Sequence, residues 1–236
     1  MKPKFSVILP VYMQALHSEF LINSYTQGLE KLEGNWELIF VVNGQDDGMA
    51  DKLLALSRDD ERVRIERLEA GGWGLAVKHG INVAKGDFIC YTNSARTDVS
   101  DLVMILQYAA VNKNNVVKAN RVFRELWLRK LGSVLYNFEN RILFRTPVWD
   151  VNGTPKAFPA DIIRLFPIVS DNDLIDAEII ARCNALKIPI IEIPVRVTNR
   201  ISGKSTTNIR SGLKMYFGLF SLKKKLTQDE RSKQKI

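Results

Sequence analysis

Five residues in the second half of the chain carry side chains that by type can hydrogen-bond an anion, as most arginines, lysines and serines can. They are Arg121 in "KANR", Arg129 and Ser133 in "RKLGS", and Arg200 and Lys204 in "NRISGKS". An arginine fork matches two phosphate oxygens at once, whereas a lysine offers a mobile point charge. Taken singly, each of these cations reads more readily as a solvated surface charge. Acids accompany them: Asp150 in "WDVNGTPKAF", then Asp173, Asp176 and Glu178 around a helix start. A different chemistry is raised by "CYTNSARTD" (90–98), where an apolar run ends on Asn93, Ser94 and Ala95. This stretch offers an amide carbonyl and a hydroxyl, with no carboxylate before Asp98. Asp98 and Asp101 stand where acids suit the positive end of a helix beginning near 99.

Other chemistries are excluded early. His17 and His79 are the only histidines, so a His-rich metal site is ruled out. Cys90 and Cys183 lie far apart without CxxC spacing and read as buried, reduced thiols of a cytosolic protein. The net charge is +8, yet the last fourteen residues, "KKKLTQDERSKQKI", hold six Lys or Arg against two acids and so carry half of it. That points to a local anionic partner at the C-terminus rather than a nucleic-acid surface spread over the fold. No RNA-binding aromatic motif or zinc-finger spacing is present. "FSVILPVY" is too short to span a bilayer, has no small-residue cleavage site, and reads as a first strand.

The elements that must position these groups follow from periodicity. Apolar runs at 5–11, 36–42, 62–68, 87–92 and 115–120 are continuous rather than alternating, as expected for strands buried on both faces of a mostly parallel sheet. Helical patterns at 18–32 (with Ser18 as N-cap), 48–58, 74–85 and 99–113 separate them. A long helical region at 125–144, an irregular segment "TPVWDVNGTPKAFPADI", a helix at 174–187 and an apolar strand at 188–197 follow. Asp173 suits the N-cap of that last helix. The alternation implies an α/β, doubly wound, Rossmann-like sheet in 236 residues, with ligands at the carboxyl ends of the strands. "GGWG" (71–74) lacks GxGxxG spacing and follows the third strand, which argues against a dinucleotide-binding dehydrogenase.

In order along 7–205, "VILPVY", "VVNGQDDGMAD", "GGWGLAVKHGINVAKGDFICYTN", "KANR", "WDVNGTPKAF", "LIDAEIIARCNALKIPIIEIPV" and "NRISGKS" together resemble the family 2 glycosyltransferases of the GT-A fold. Within that family the chain looks most like the polyprenyl-phosphate (dolichol-phosphate type) sugar synthases. The resemblance implies a nucleotide-sugar donor, inversion at the sugar carbon, and a lipid-phosphate or glycan acceptor. It implies nucleotide contacts at Pro10, Tyr12, Asn43, Asp46, Gly74 and Asn93. It further implies catalytic phosphate contacts from Arg121, Arg129, Ser133, Arg200 and Lys204. Asp150, Lys156, Asp176 and Glu178 take acceptor or structural roles, with Asp150 either orienting an arginine or shaping a turn.

The chain departs from the pattern at several places. Asn43 replaces an Asp, and Met13-Gln14 replaces Asn-Glu. The loop between Arg121 and Arg129 is short. Asn93-Ser94-Ala95 stands where Asp-x-Asp usually holds Mg²⁺ or Mn²⁺ against the donor diphosphate, since hard cations take anionic oxygens. Weak or lost metal dependence is therefore expected. Losing such an electrostatic partner costs roughly 10²–10³ in rate. Two function classes remain open: an active glycosyltransferase, and a catalytically silent GT-A module that binds nucleotide or lipid phosphate or scaffolds a partner enzyme.

The expected domain runs 1–207, followed by an amphipathic helix and basic tail at 208–236. Ile209, Leu213, Phe217 and Phe220 recur at helical spacing ahead of Lys223–Lys225. Such a helix suits an anionic bilayer interface on the cytoplasmic side, or packing on its own domain, a second subunit or a membrane-protein partner.

Overall fold

The computed structural model describes residues 2–45, 47–123, 127–196 and 209–233, and the side chains of these except 123, 127–131, 209–214 and 229–233. Asp46, Arg200, Lys204 and the side chain of Arg129 lie outside the described residues.

The first half alternates as the periodicity requires. β1 (Phe5–Val11) leads through a 3₁₀ turn at Ala15–His17 into α1 (Ser18–Leu29). Then come β2 (Trp36–Asn43), α2 (Met49–Leu56), β3 (Val63–Leu68), α3 (Trp73–Val83), β4 (Phe88–Tyr91) and α4 (Val99–Val111). The second half supplies β5 (Val116–Phe123), α5 (Trp127–Phe144), β6 (Lys156–Pro159), α6 (Ala160–Ile163), α7 (Ile175–Ala185), β7 (Ile190–Arg196) and α8 (Ile209–Lys233). The seven strands form one sheet in the order β3-β2-β1-β4-β6-β5-β7. β6 runs antiparallel to both neighbours, and the other pairings are parallel.

Continuous hydrophobicity has its reason in this layering. Phe5, Val7, Leu9 and Val11 pack with Leu21 and Tyr25 of α1, Leu53 of α2 and Leu102 and Leu106 of α4. Ile8 faces the opposite core with Val77 and Ile81 of α3 and Ile179 and Cys183 of α7. Both cysteines are free thiols and buried. The connection order reverses between β1 and β4, so a crevice opens where their carboxyl ends diverge.

Three expectations are corrected. The segment read as irregular contains β6, which has only four residues and is bracketed by Lys156 and Pro159; too little apolar periodicity marks it. Ser18 is not a side-chain N-cap: α1 continues directly from the 3₁₀ turn, and its hydroxyl donates to the Ala15 carbonyl (3.1 Å). Asp173 does not cap α7, because the N-cap position falls on Leu174, one residue later, and no side chain caps the helix.

α8 runs from Ile209 to Lys233. Leu219 and Leu222 are buried against Tyr136 of α5, Ala177 and Ile180 of α7, and Val148 and Val151. Gly218 permits this approach, since a Cβ there would lie 2.6 Å from the Leu174 side chain. Tyr216 donates its hydroxyl to the Gly132 carbonyl (2.6 Å), tying α8 to α5. The opposite face exposes Phe217, Phe220 and Lys224 at i, i+3 and i+7 spacing. Among the described residues no helix is long and apolar enough to cross a membrane.

Candidate active site

At the β1–β4 crevice the polar groups are mostly committed to the fold. Asn43, at the end of β2, donates to the Val11 carbonyl (3.0 Å) and accepts from Gly72 N–H (3.0 Å). Its amide thus ties the end of β1 to the "GGWG" turn. Gly74 is required by the chain itself: a Cβ would fall 2.4 Å from the Asn172 carbonyl oxygen. Tyr12 stands 40% exposed at the rim, its ring against Gly44, whose φ of 76° favours glycine. Pro10 is buried within β1.

The 93–95 turn is folded inward. Asn93 Oδ1 accepts from Ala95 N–H (3.0 Å), and the Asn93 carbonyl accepts from Arg96 and Thr97 N–H (3.2 and 3.1 Å). The Ser94 hydroxyl is shared between the Pro10 carbonyl (3.3 Å) and Gln14 Oε1 (3.1 Å). Ser94 and Ala95 are each 1% exposed. Asp98 caps α4 by accepting from Ser100 N–H (2.8 Å). These donors do not fit a divalent cation: one carbonyl and one hydroxyl are already bonded within the protein, and among the described residues no cluster of His, Cys, Asp or Glu could hold a metal ion.

A second constellation lies at the end of β5. Asp150 accepts from Arg121 three times: from backbone N–H at 3.1 Å, Nε at 2.7 Å and Nη2 at 2.9 Å. Arg121 and Asp150 line a cavity of about 240 Å³ with Asn120, Val122, Ser133, Val134, Asn137 and Trp149. Ser133 and Asn137 share one face of α5, and Asn137 Oδ1 accepts from Val151 N–H (2.9 Å), which fixes that face over the loop. Gly153 completes the loop, because a Cβ there would lie 2.1 Å from the Ala119 carbonyl oxygen. Arg129 stands on α5 one turn before Ser133. The geometry can present a fixed guanidinium and two neutral hydrogen-bonding groups to an anion.

Below this cavity lies a buried ionic layer. Lys156 pairs with Asp176, which also accepts from the Tyr91 hydroxyl (2.8 Å) and Trp73 Nε1 (3.2 Å). Burial pushes the Lys156 ammonium down, with Asp176 opposing, and pushes the Tyr91 phenol well up, helped by the Asp176 charge. Lys118 donates to the Ala119 carbonyl (2.7 Å), the Asp150 carbonyl (2.6 Å) and Glu192 (3.0 Å). Burial first, and then the charge of Lys156, push Lys118 down to about 8. Glu178 is fully buried and accepts from Val169 and Ser170 N–H and from Arg182, holding the strap before α7.

The structure therefore brings Arg121, Ser133 and Asp150 together and sets Lys156 and Asp176 beneath them. Sequence reasoning missed Lys118, Asn137, Trp149 and Glu192. The available signal was a lysine inside "NVVKAN" and a glutamate inside "IPIIEIPV": ionic residues within apolar strands.

Comparison with known proteins agrees with this architecture. The chain is 28% identical over 139 residues to the undecaprenyl-phosphate 4-deoxy-4-formamido-L-arabinose transferase of Aeromonas hydrophila, covering 56% of this chain and 41% of that protein. It thus spans about two fifths of that relative's length. Glucosyl-3-phosphoglycerate synthase from Mycobacterium tuberculosis, solved with Mn²⁺, UDP and glucosyl-3-phosphoglycerate, superposes with a TM-score of 0.72 at 15% identity, over 93% of this chain and 78% of that one. The mannosyltransferase PcManGT of Pyrobaculum calidifontis, solved with GDP-mannose and Mn²⁺, gives 0.60 at 16% identity, over 87% and 59%. At these identities the solved structures show the shared GT-A fold. The sequence model for Glycosyl transferase family 2 matches residues 6–164, more than half of the chain, and the chain belongs to that family.

Proposed function

We propose that this protein is a glycosyltransferase that moves a sugar, with inversion, from a nucleotide-sugar donor to a polyprenyl-phosphate or glycan acceptor, with weak or no metal dependence. The observation that carries the reading is Arg121, held as a fork by Asp150 in a cavity shared with Ser133. A phosphate acceptor is anionic at neutral pH, so its oxygen attacks the sugar carbon without a general base, and the protein's part is positioning. The nucleoside diphosphate departs with the bonding pair, and fixed cations offset its charge. Arg129, Arg200 and Lys204 are proposed to join Arg121 in that role. Pro10, Tyr12, Asn43, Asp46, Gly74 and Asn93 are proposed to border the nucleotide, Asn43 through its backbone because its amide is engaged. The relative named for undecaprenyl phosphate supports a lipid acceptor. The exposed Phe217, Phe220 and Lys223–Lys225 support peripheral attachment to an anionic cytoplasmic membrane face.

The second reading, a catalytically silent module, is favoured by the inward 93–95 turn. A nucleotide-sugar panel read by calorimetry with and without Mn²⁺, followed by donor turnover, separates the two. Metal-independent binding with turnover supports transfer, and binding without turnover supports the module. Failure to bind any nucleotide sugar removes the transferase reading.

A further inference from the structure

Lys118 and Glu192 occupy register-paired positions on β5 and β7, and Lys118 also faces Lys156 on β6. Lys118 and Lys156 are both fully buried. A row of ions inside a sheet is costly, and apolar residues of similar size would generally be at least as stable there. The hydrogen bonds point to what this row does. The three N–H groups of the Lys118 ammonium match three acceptors: the Ala119 and Asp150 carbonyls and Glu192 Oε1. Glu192 in turn accepts from Asp150 N–H through Oε1 (3.1 Å) and from Trp149 N–H through Oε2 (2.8 Å). The Trp149–Asp150 stretch is therefore gripped on its N–H groups by an anion and on its carbonyl by a cation.

That stretch bears on the cavity twice. Asp150 fixes the Arg121 fork, and the Trp149 ring lines the wall while stacking on the Arg141 guanidinium at 3.9 Å. We propose that Lys118 and Glu192 are a positioning pair: acting through Asp150, they hold Arg121 in the geometry that receives a phosphate-bearing ligand. Neither touches that ligand. This inference rests on the proposed use of the cavity as a phosphate site. The charged groups facing Lys118 are Lys156 on β6, Glu192 on β7 and Asp150 in the loop before β6. Burial first, and then the Lys156 charge, bring the ammonium down to about 8, with Glu192 and Asp150 opposing. Once deprotonated, it loses one donor and its charge, and the grip on the Asp150 carbonyl slackens.

The test measures inorganic pyrophosphate binding by calorimetry for the wild type, Arg121→Ala, Lys118→Met, Glu192→Gln and the Lys118→Met/Glu192→Gln double variant. Loss of binding in Arg121→Ala is expected, with Lys118→Met and Glu192→Gln each weakening binding about tenfold through misplacement of the fork. The double variant is expected to lose little more than either single one, as members of one unit do. A second arm uses sulfate, whose charge is constant in this range. Wild-type sulfate affinity should fall as pH rises through about 8, while Lys118→Met shows no such step. Should Lys118→Met fail to fold, Glu192→Gln and the wild-type pH step decide. Wild-type affinity in both positioning variants, alongside loss in Arg121→Ala, overturns the positioning pair and leaves the phosphate site intact. Equal binding by Arg121→Ala and wild type overturns the site, and the pair with it.

Discussion

Asp150 receives three hydrogen bonds from Arg121, two through the guanidinium and one through the backbone, so the arginine's position is set by the loop that carries the acid. Asp150 is 2% exposed, and removing its charge strands a partly buried cation. Asp150→Ala is expected to lower stability by about 3–5 kcal/mol, the range for breaking a buried pair. Asp150→Asn keeps the size and some hydrogen bonds and should cost less. In both variants any donor turnover should fall by at least about 10², since the guanidinium is no longer fixed. Denaturant melts and single-turnover rates check the two halves; an unchanged rate in Asp150→Asn contradicts the orienting role.

Restoring a carboxylate at 95 should not restore a metal site. Ala95 is buried, and its neighbours' polar atoms are already bonded. Ala95→Asp is expected to cost about 2–4 kcal/mol by burying an unpaired charge. Thermal melts with and without Mn²⁺ check this: the ion should leave the variant's Tm unchanged, and a large Mn²⁺-dependent rise would show that the turn can reopen around a cation.

Glycines divide by what faces them. Gly153→Ala and Gly74→Ala drive a methyl to 2.1 Å and 2.4 Å from backbone oxygens and should lose about 1–3 kcal/mol or more. Gly132, in α5, has nothing within 4 Å, so Gly132→Ala should gain up to about 1 kcal/mol of helix propensity. Urea midpoints measured on the three variants give the comparison, and a stabilised Gly153→Ala would contradict the packing described.

The pH dependence of stability carries a definite sign for Lys118. Its folded value lies near 8 against an ordinary 10.5, so between those limits the unfolded chain holds a proton that the folded lysine has released. Stability contributed by this group therefore rises with pH across that window, by an amount on the order of 3 kcal/mol. The buried Cys90 and Tyr25, pushed up by burial, act in the opposite direction at high pH. The clean measurement is the unfolding free energy of wild type minus that of Lys118→Met, which should rise from about pH 8 upward. A flat difference would mean that Lys118 titrates normally.

On α8 the two faces should separate by assay. Leu222→Ala, on the packed face, is expected to cost about 2–4 kcal/mol. The Phe217→Ser/Phe220→Ser pair, on the exposed face, should leave the melt within about 0.5 kcal/mol. The same pair should reduce co-sedimentation with vesicles containing anionic lipid. Equal sedimentation with the wild type would remove the bilayer from the account of this face.

The alternation of buried apolar runs and helical patterns determined the doubly wound sheet, because strands covered on both faces have no polar side to alternate with. The order of the motifs carried the family, and the sequence itself places Asn93, Ser94 and Ala95, without a carboxylate, at the turn after β4. The antiparallel β6 was decided only in three dimensions: four residues bounded by Lys156 and Pro159 carry no period, and their burial comes from β4 and β5 on either side. Lys118 and Glu192 stand out along the chain as ions within apolar strands, but which partners they meet was likewise decided by the tertiary structure. Lys118, Asp150 and Glu192 stand 32 and 42 residues apart in successive steps, and only the register of β5 with β7 brings them into one hydrogen-bonded unit. A buried charge is tolerable only where partners converge on it, and that convergence is a property of the packed sheet rather than of any local stretch.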